Sequence, residues 1–150
     1  HSCNLLEHPG GSVLRECGPG VLAGMKRLGI PTGLPDAVVV SHLHGDHFAG
    51  LVWWLLHAQH IAKRKTPLTI VGPEGIEARF LTAAEALFPG SAQVTRVYPL
   101  AFREFRQETP IEIEGVRVTP FEVQHASGAP PSARPRPSGS RPRGRPRSPA

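Results

Sequence analysis

Residues 37–50 read Ala-Val-Val-Val-Ser-His-Leu-His-Gly-Asp-His-Phe-Ala-Gly. Val38, Val39 and Val40 form a β-branched run of the kind that packs on a pleated sheet, and they predict a buried strand. The strand runs into a loop carrying His42, His44, Asp46 and His47, with Gly45 free to turn sharply between them. In extended chain, residues two apart point the same way, so His42 and His44 can aim at one point. Asp46 and His47 follow one turn later and can aim at a second. Imidazole nitrogen and carboxylate oxygen are ligands that zinc accepts, at about 2.0 to 2.2 Å. A polar loop of chance histidines is the plain alternative, and the ordered strand–loop–helix context argues against it.

This His-x-His-x-Asp-His stretch resembles the signature of the metallo-β-lactamase superfamily, most closely its ribonuclease Z-like and phosphodiesterase-like branches. The resemblance runs from about Ser2 to about Pro130. It implies an α/β fold, mainly the N-terminal half of an αββα sandwich. It also implies two Zn2+ per site in full-length relatives, with Mn2+ or Fe2+ as alternatives. His42, His44 and His125 would hold the first metal, and Asp46 and His47 the second. Asp46 would also orient the attacking water, which makes it the expected catalytic residue. A divalent metal lowers the pKa of bound water towards ~7, so the expected chemistry is hydrolysis of an ester by metal-activated hydroxide. The expected substrate is a phosphodiester, an RNA 3′ end among them, or a sulfate ester, lactone or thioester. In the resembled families an Asp precedes the Cys-Gly pair and braces the metal loop. Glu16 stands there in this chain, and the two readings are a longer brace and an exposed strand-end acid.

The net charge of +5 misleads about partners. Six of the 17 basic residues, Arg134, Arg136, Arg141, Arg143, Arg145 and Arg147, lie in residues 130–150. The rest of the chain has 11 basic against 12 acidic residues, a net charge of −1. The basic character therefore belongs to the tail, not to a nucleic-acid-binding face. Cys3 and Cys17 lack CxxC spacing. They are expected to be reduced core thiols, in keeping with a cytoplasmic protein. No run approaches the ~18 apolar residues of a membrane span, and no signal peptide is visible.

Taken in order, Cys3–Glu7 and Ser12–Glu16 predict a hairpin about His8-Pro9-Gly10-Gly11. Val21–Leu28 is expected to be a short helix. After the histidine loop, Phe48–Lys65 shows an apolar stripe of Leu51, Trp54, Leu55, Ala58, Ile61 and Ala62 at helical spacing. His57, His60 and Arg64 fall opposite it, and a solvated face is favoured for them over a metal site. Trp53 and Trp54 are read as packing. Pro67–Val71 predicts a strand and Ile76–Phe88 a helix. Val94–Leu100, Ile111–Glu114 and Val116–Gln124 predict further strands, the last two on alternating patterns that turn at Gly115.

Two units are expected: a partial metallo-β-lactamase-like domain over 1–129, and a disordered tail over 130–150. The tail holds only Pro, Arg, Ser, Gly and Ala, which cannot build a core. A shifted reading frame would produce such a composition. A true basic tail contacting RNA phosphates is the alternative. The last Asp is Asp46 and the last His is His125. The resembled families continue with a metal-bridging Asp and a late His, so the chain is expected to be a fragment. A truncated, inactive metal-binding fragment is accordingly the alternative to a working hydrolase. A small-molecule ester or RNA substrate and a homodimer complete the expected partners.

Overall fold

The computed structural model describes residues 3–121. Its main sheet has five strands: β1 (Asn4–His8), β2 (Gly11–Arg15), β3 (Ala37–Val39), β4 (Leu68–Gly72) and β5 (Leu100–Glu104). They lie side by side in chain order. The β1–β2 hairpin is antiparallel and the other pairs are parallel. Parallel neighbours need crossovers, which here are α1 (Val21–Arg27), α2 (Gly45–Phe48) with α3 (Gly50–His60), and α4 (Ile76–Leu87). Crossovers of one hand that step in one direction place every helix on one face. The large core bears this out. It joins Val21 and Met25 of α1, Phe48 of α2, Leu51, Trp54 and Leu55 of α3, and Phe80 of α4 to Leu14, Val38, Leu68 and Ile70 of the sheet.

Strand alternation sends the intervening residues to the opposite face. Val13, Ala37, Val39 and Val71 form a second, smaller core there with Ile113. The cover is a two-stranded hairpin, β6 (Ile111–Ile113) and β7 (Val116–Val118). Its turn residues Glu114 and Gly115 both have positive φ, at 47° and 79°, which suits a two-residue hairpin loop. The layers are thus helices, a mostly parallel sheet and a small antiparallel sheet. This is the α/β arrangement expected for the first half of an αββα sandwich, with the start of a second sheet already seated.

Four expectations need correction. The strand expected over Val94–Leu100 is irregular up to Pro99, after a short 3-10 turn at Ser91–Gln93, and β5 begins at Leu100. Pro99 has no N–H to donate, so the ladder with β4 starts beyond it. The single helix expected over Phe48–Lys65 is two helices, with α3 ending at His60 and leaving Ile61 exposed. Arg64 is buried rather than solvated. Its guanidinium donates to the carbonyl oxygens of Gly33 (2.9 Å), Pro35 (2.8 Å), Thr66 (2.9 Å) and Pro67 (2.5 Å). Finally, Cys3 is exposed, whereas Cys17 is a buried core thiol as expected.

Trp54 is fully buried and donates from Nε1 to the Thr32 carbonyl at 3.0 Å. Trp53 packs edge-on against Phe88, with ring centroids 4.7 Å apart. No helix among the described residues is long and apolar enough to cross a membrane. The tail expected over 130–150 lies outside the described residues.

Candidate metal centre

The histidine loop leaves the carboxyl end of β3, the middle strand of the main sheet. Open parallel sheets place their ligand sites at the carboxyl ends of strands, because the crossover loops converge there. Val40 is the last sheet-like residue, its N–H donating to the Val71 carbonyl at 2.8 Å. The chain then turns, and α2 begins with extended His44 as its N-terminal flank.

Three imidazoles gather in this loop. The rings of His42 and His44 meet edge to face with centroids 4.7 Å apart, and those of His42 and His47 are tilted at 4.0 Å. All three are half-buried, while Asp46 is exposed. Asp46 Oδ2 lies 3.3 Å from His47 Nε2. His42 Nδ1 sits 2.9 Å from the Ser41 hydroxyl. Ser41 was not singled out in the sequence, where adjacency to His42 is the only signal it carries.

Glu16 underlies the loop. It directly follows β2 with a φ of 64°, a left-handed conformation that costs a non-glycine residue about 1–3 kcal/mol. Its side chain is 2 % exposed, which settles the two readings of this position in favour of the longer brace. Glu16 Oε2 accepts the Ser41 N–H at 3.2 Å and lies 3.3 Å from His47 Nδ1. The ring approaches within ion-pair distance but off the line of a hydrogen bond. The backbone joins the same parts: the Cys17 N–H donates to the His47 carbonyl at 2.6 Å, and the Gly50 N–H to the Cys17 carbonyl at 2.8 Å. Gly50 makes this approach possible. A Cβ there would overlap the Gly18 carbonyl oxygen and sit 2.7 Å from that of Cys17. Burial pushes the Cys17 thiol well above its ordinary range, with the charges of Cys3 and Glu16 adding to it.

The donor chemistry suits zinc: imidazole nitrogens beside a carboxylate at a loop mouth. The described donors do not complete a site. Among the described residues, no group of three or more His, Cys, Asp or Glu side chains is arranged to hold a metal ion. His125, the expected third ligand of the first metal, lies outside the described residues. His57 and His60 stand apart on α3: His60 is exposed, and His57 Nδ1 pairs with the Thr32 hydroxyl at 3.2 Å.

The layered fold and the histidine loop at the carboxyl end of its central strand define a metallo-β-lactamase-like domain. A family model described as a β-lactamase superfamily domain matches residues 12–142, and the chain belongs to that family. Among curated proteins it is similar to ribonuclease Z of Agathobacter rectalis, at 33 % identity over 121 residues that make up 81 % of this chain and 38 % of the relative. The chain thus spans well under half the length of that relative. Among solved structures it resembles human tRNase Z, short form, with a TM-score of 0.56 and 26 % identity, covering 69 % of this chain and 37 % of that one. The fold is also shared with a diphosphatase of the PhnP family, at a TM-score of 0.54 and 20 % identity over 77 % of this chain and 41 % of the other.

Proposed function

We propose that the chain carries the first metal-binding half of a zinc-dependent hydrolase that cleaves a phosphodiester, with an RNA 3′ end as the substrate class. The observation that carries this reading is the cluster of His42, His44 and His47 at the end of β3, backed by buried Glu16. Its similarity to ribonuclease Z points to RNA among the esters that such a site can hydrolyse.

His42 and His44, with His125, would hold one divalent ion, and Asp46 with His47 a second. Two such ions, when bound, acidify water and balance the charge on the attacking and leaving oxygens of a phosphodiester. This chain's own residues do the positioning. Glu16 engages the Nδ1 side of His47 and so presents Nε2 outwards, on the side of Asp46. The Ser41 hydroxyl meets Nδ1 of His42. A carboxylate or hydroxyl behind a ligating imidazole fixes its tautomer and ring orientation. Asp46, exposed at the loop, would accept a proton from the attacking water. The free thiols support a reducing, cytoplasmic setting. We assign the tail arginines to salt-sensitive contacts with RNA phosphates.

Zinc titration of the wild-type chain and of His44→Ala tests the metal assignment. The wild type should take up about one ion, since Asp46 and His47 alone are too few ligands to hold the second tightly, and the variant should lose most of that uptake. Equal zinc content in the two would refute it. Cleavage of an RNA 3′ trailer, abolished in Asp46→Ala, tests the substrate class.

A further inference from the structure

The chain's two cysteines flank one end of the β1–β2 hairpin. The last rung of that ladder pairs Asn4 with Arg15. Cys3 stands one residue beyond it on one strand, and Cys17 two residues beyond it on the other. Facing residues of an antiparallel pair keep their Cα atoms about 4.5–5.5 Å apart, inside the span of about 4.4–6.8 Å that a disulfide bridges.

Both cysteines also lie on the helical side of the sheet. Leu5 and Leu14 face each other in the register, and both pack in the helix-side core. Cys3 precedes Leu5 by two residues and so shares its face, lining with Leu5, Leu14 and Val21 a cavity of about 260 Å³. Cys17 belongs to the same core as Leu14 and Val21, and its neighbour Gly18 reaches the cavity wall. The cavity gives the Cys3 side chain room to swing towards Cys17 without displacing the core.

The two thiols differ in access: Cys3 is exposed and Cys17 is fully buried. Burial pushes the Cys3 thiol up, and the Glu16 charge adds to it. On Cys17, burial acts first, and the Cys3 charge then adds more than that of Glu16, its own chain neighbour. Thiols that resist ionisation react slowly, which keeps the pair reduced until an oxidant is supplied.

We propose that Cys3 and Cys17 form a reversible dithiol–disulfide pair, a redox latch across the open end of the hairpin beside Glu16. The oxidant is a low-molecular-weight disulfide. The Cys3 thiolate attacks one of its sulfurs and expels a thiolate, leaving a mixed disulfide on Cys3. The Cys17 thiol loses its proton to solvent and attacks the Cys3 sulfur. The Cys3–Cys17 bond forms and the second small thiolate leaves, so two protein thiols are oxidised and one disulfide is reduced. The latch fastens edge strand β1 to the segment from which Glu16 reaches His47 and the Cys17 N–H binds the His47 carbonyl.

The test is incubation of the full chain with oxidised glutathione and a chelator, followed by thiol titration in denaturant and peptide mass mapping. Wild type should lose both thiols, with the mass lower by two hydrogen atoms and Cys3 joined to Cys17. In Cys3→Ser, an exposed change that spares the fold, Cys17 should lose its thiol at least roughly tenfold more slowly, because a buried thiol is inert by itself. The oxidised wild type should have a higher urea midpoint than the reduced form, and dithiothreitol should reverse the gain. A glutathione adduct that persists on Cys3, a disulfide-linked dimer, two surviving thiols or Cys17 loss unchanged in Cys3→Ser would overturn the pairing. A lower midpoint after oxidation would overturn the claim that the bond fits the native hairpin.

Discussion

Glu16 Oε2 lies 3.3 Å from His47 Nδ1, joining the end of β2 to the loop that follows β3. The same oxygen accepts the Ser41 N–H, so one buried carboxylate grips the histidine loop near both of its ends. The left-handed backbone of Glu16 is held in place by these contacts and by its own N–H, which donates to the Val39 carbonyl at 2.8 Å.

Glu16→Gln keeps the shape but removes the charge behind His47. Zinc affinity should fall by about 10–100-fold, as is usual when the group orienting a metal-binding imidazole is lost. Glu16→Asp should fall less, since a carboxylate is retained. Competition against a chromophoric chelator measures both, and an unchanged affinity for Glu16→Gln would show that the brace does not reach the ligands.

Gly50→Ala places a methyl group against the carbonyls of Cys17 and Gly18, which are backbone and cannot swing aside. The start of α3 must shift, and α2 with His47 shifts with it. A loss of roughly 2–4 kcal/mol is expected, in the range of severe overpacking. Urea denaturation checks the loss. A stability equal to wild type would mean that the helix and the Cys17–Gly18 segment separate freely.

Arg64→Ala leaves four carbonyls without their donor, two on its own loop (Thr66 and Pro67) and two on the loop before β3 (Gly33 and Pro35). The expected cost is about 2–4 kcal/mol. Arg64→Lys should recover little of it, because one ammonium cannot span the four acceptors that the planar guanidinium reaches. Thermal melting of the two variants checks this, and full recovery by lysine would show that charge alone matters.

His57 provides a pH signature away from the metal loop. Burial lowers its pKa below the ordinary value, and the Lys26 charge lowers it further. The folded state therefore binds fewer protons there than the unfolded chain. The stability linked to His57 is present above about pH 6.5 and is lost as the pH falls through its lowered folded-state value. Denaturation midpoints measured from pH ~7 down to ~5 should fall less steeply in His57→Gln than in the wild type. Parallel slopes would sink this assignment.

The amino-acid sequence determined the fold class, the helical face of the sheet and the composition of the histidine loop. Valine runs, apolar spacing and the His-x-His-x-Asp-His pattern are local, and local chemistry is legible along the chain. Tertiary structure decided the rest. The Val94–Tyr98 segment has strand-forming residues, but pairing with β4 selected Leu100–Glu104 instead. Arg64 sits among polar residues just past a helix, and only the convergence of two distant loops gives its guanidinium four carbonyls and buries it. Glu16 is the sharpest case. Its two readings differ only in what lies above it, and the parallel pairing of β2 with β3 puts the histidine loop there.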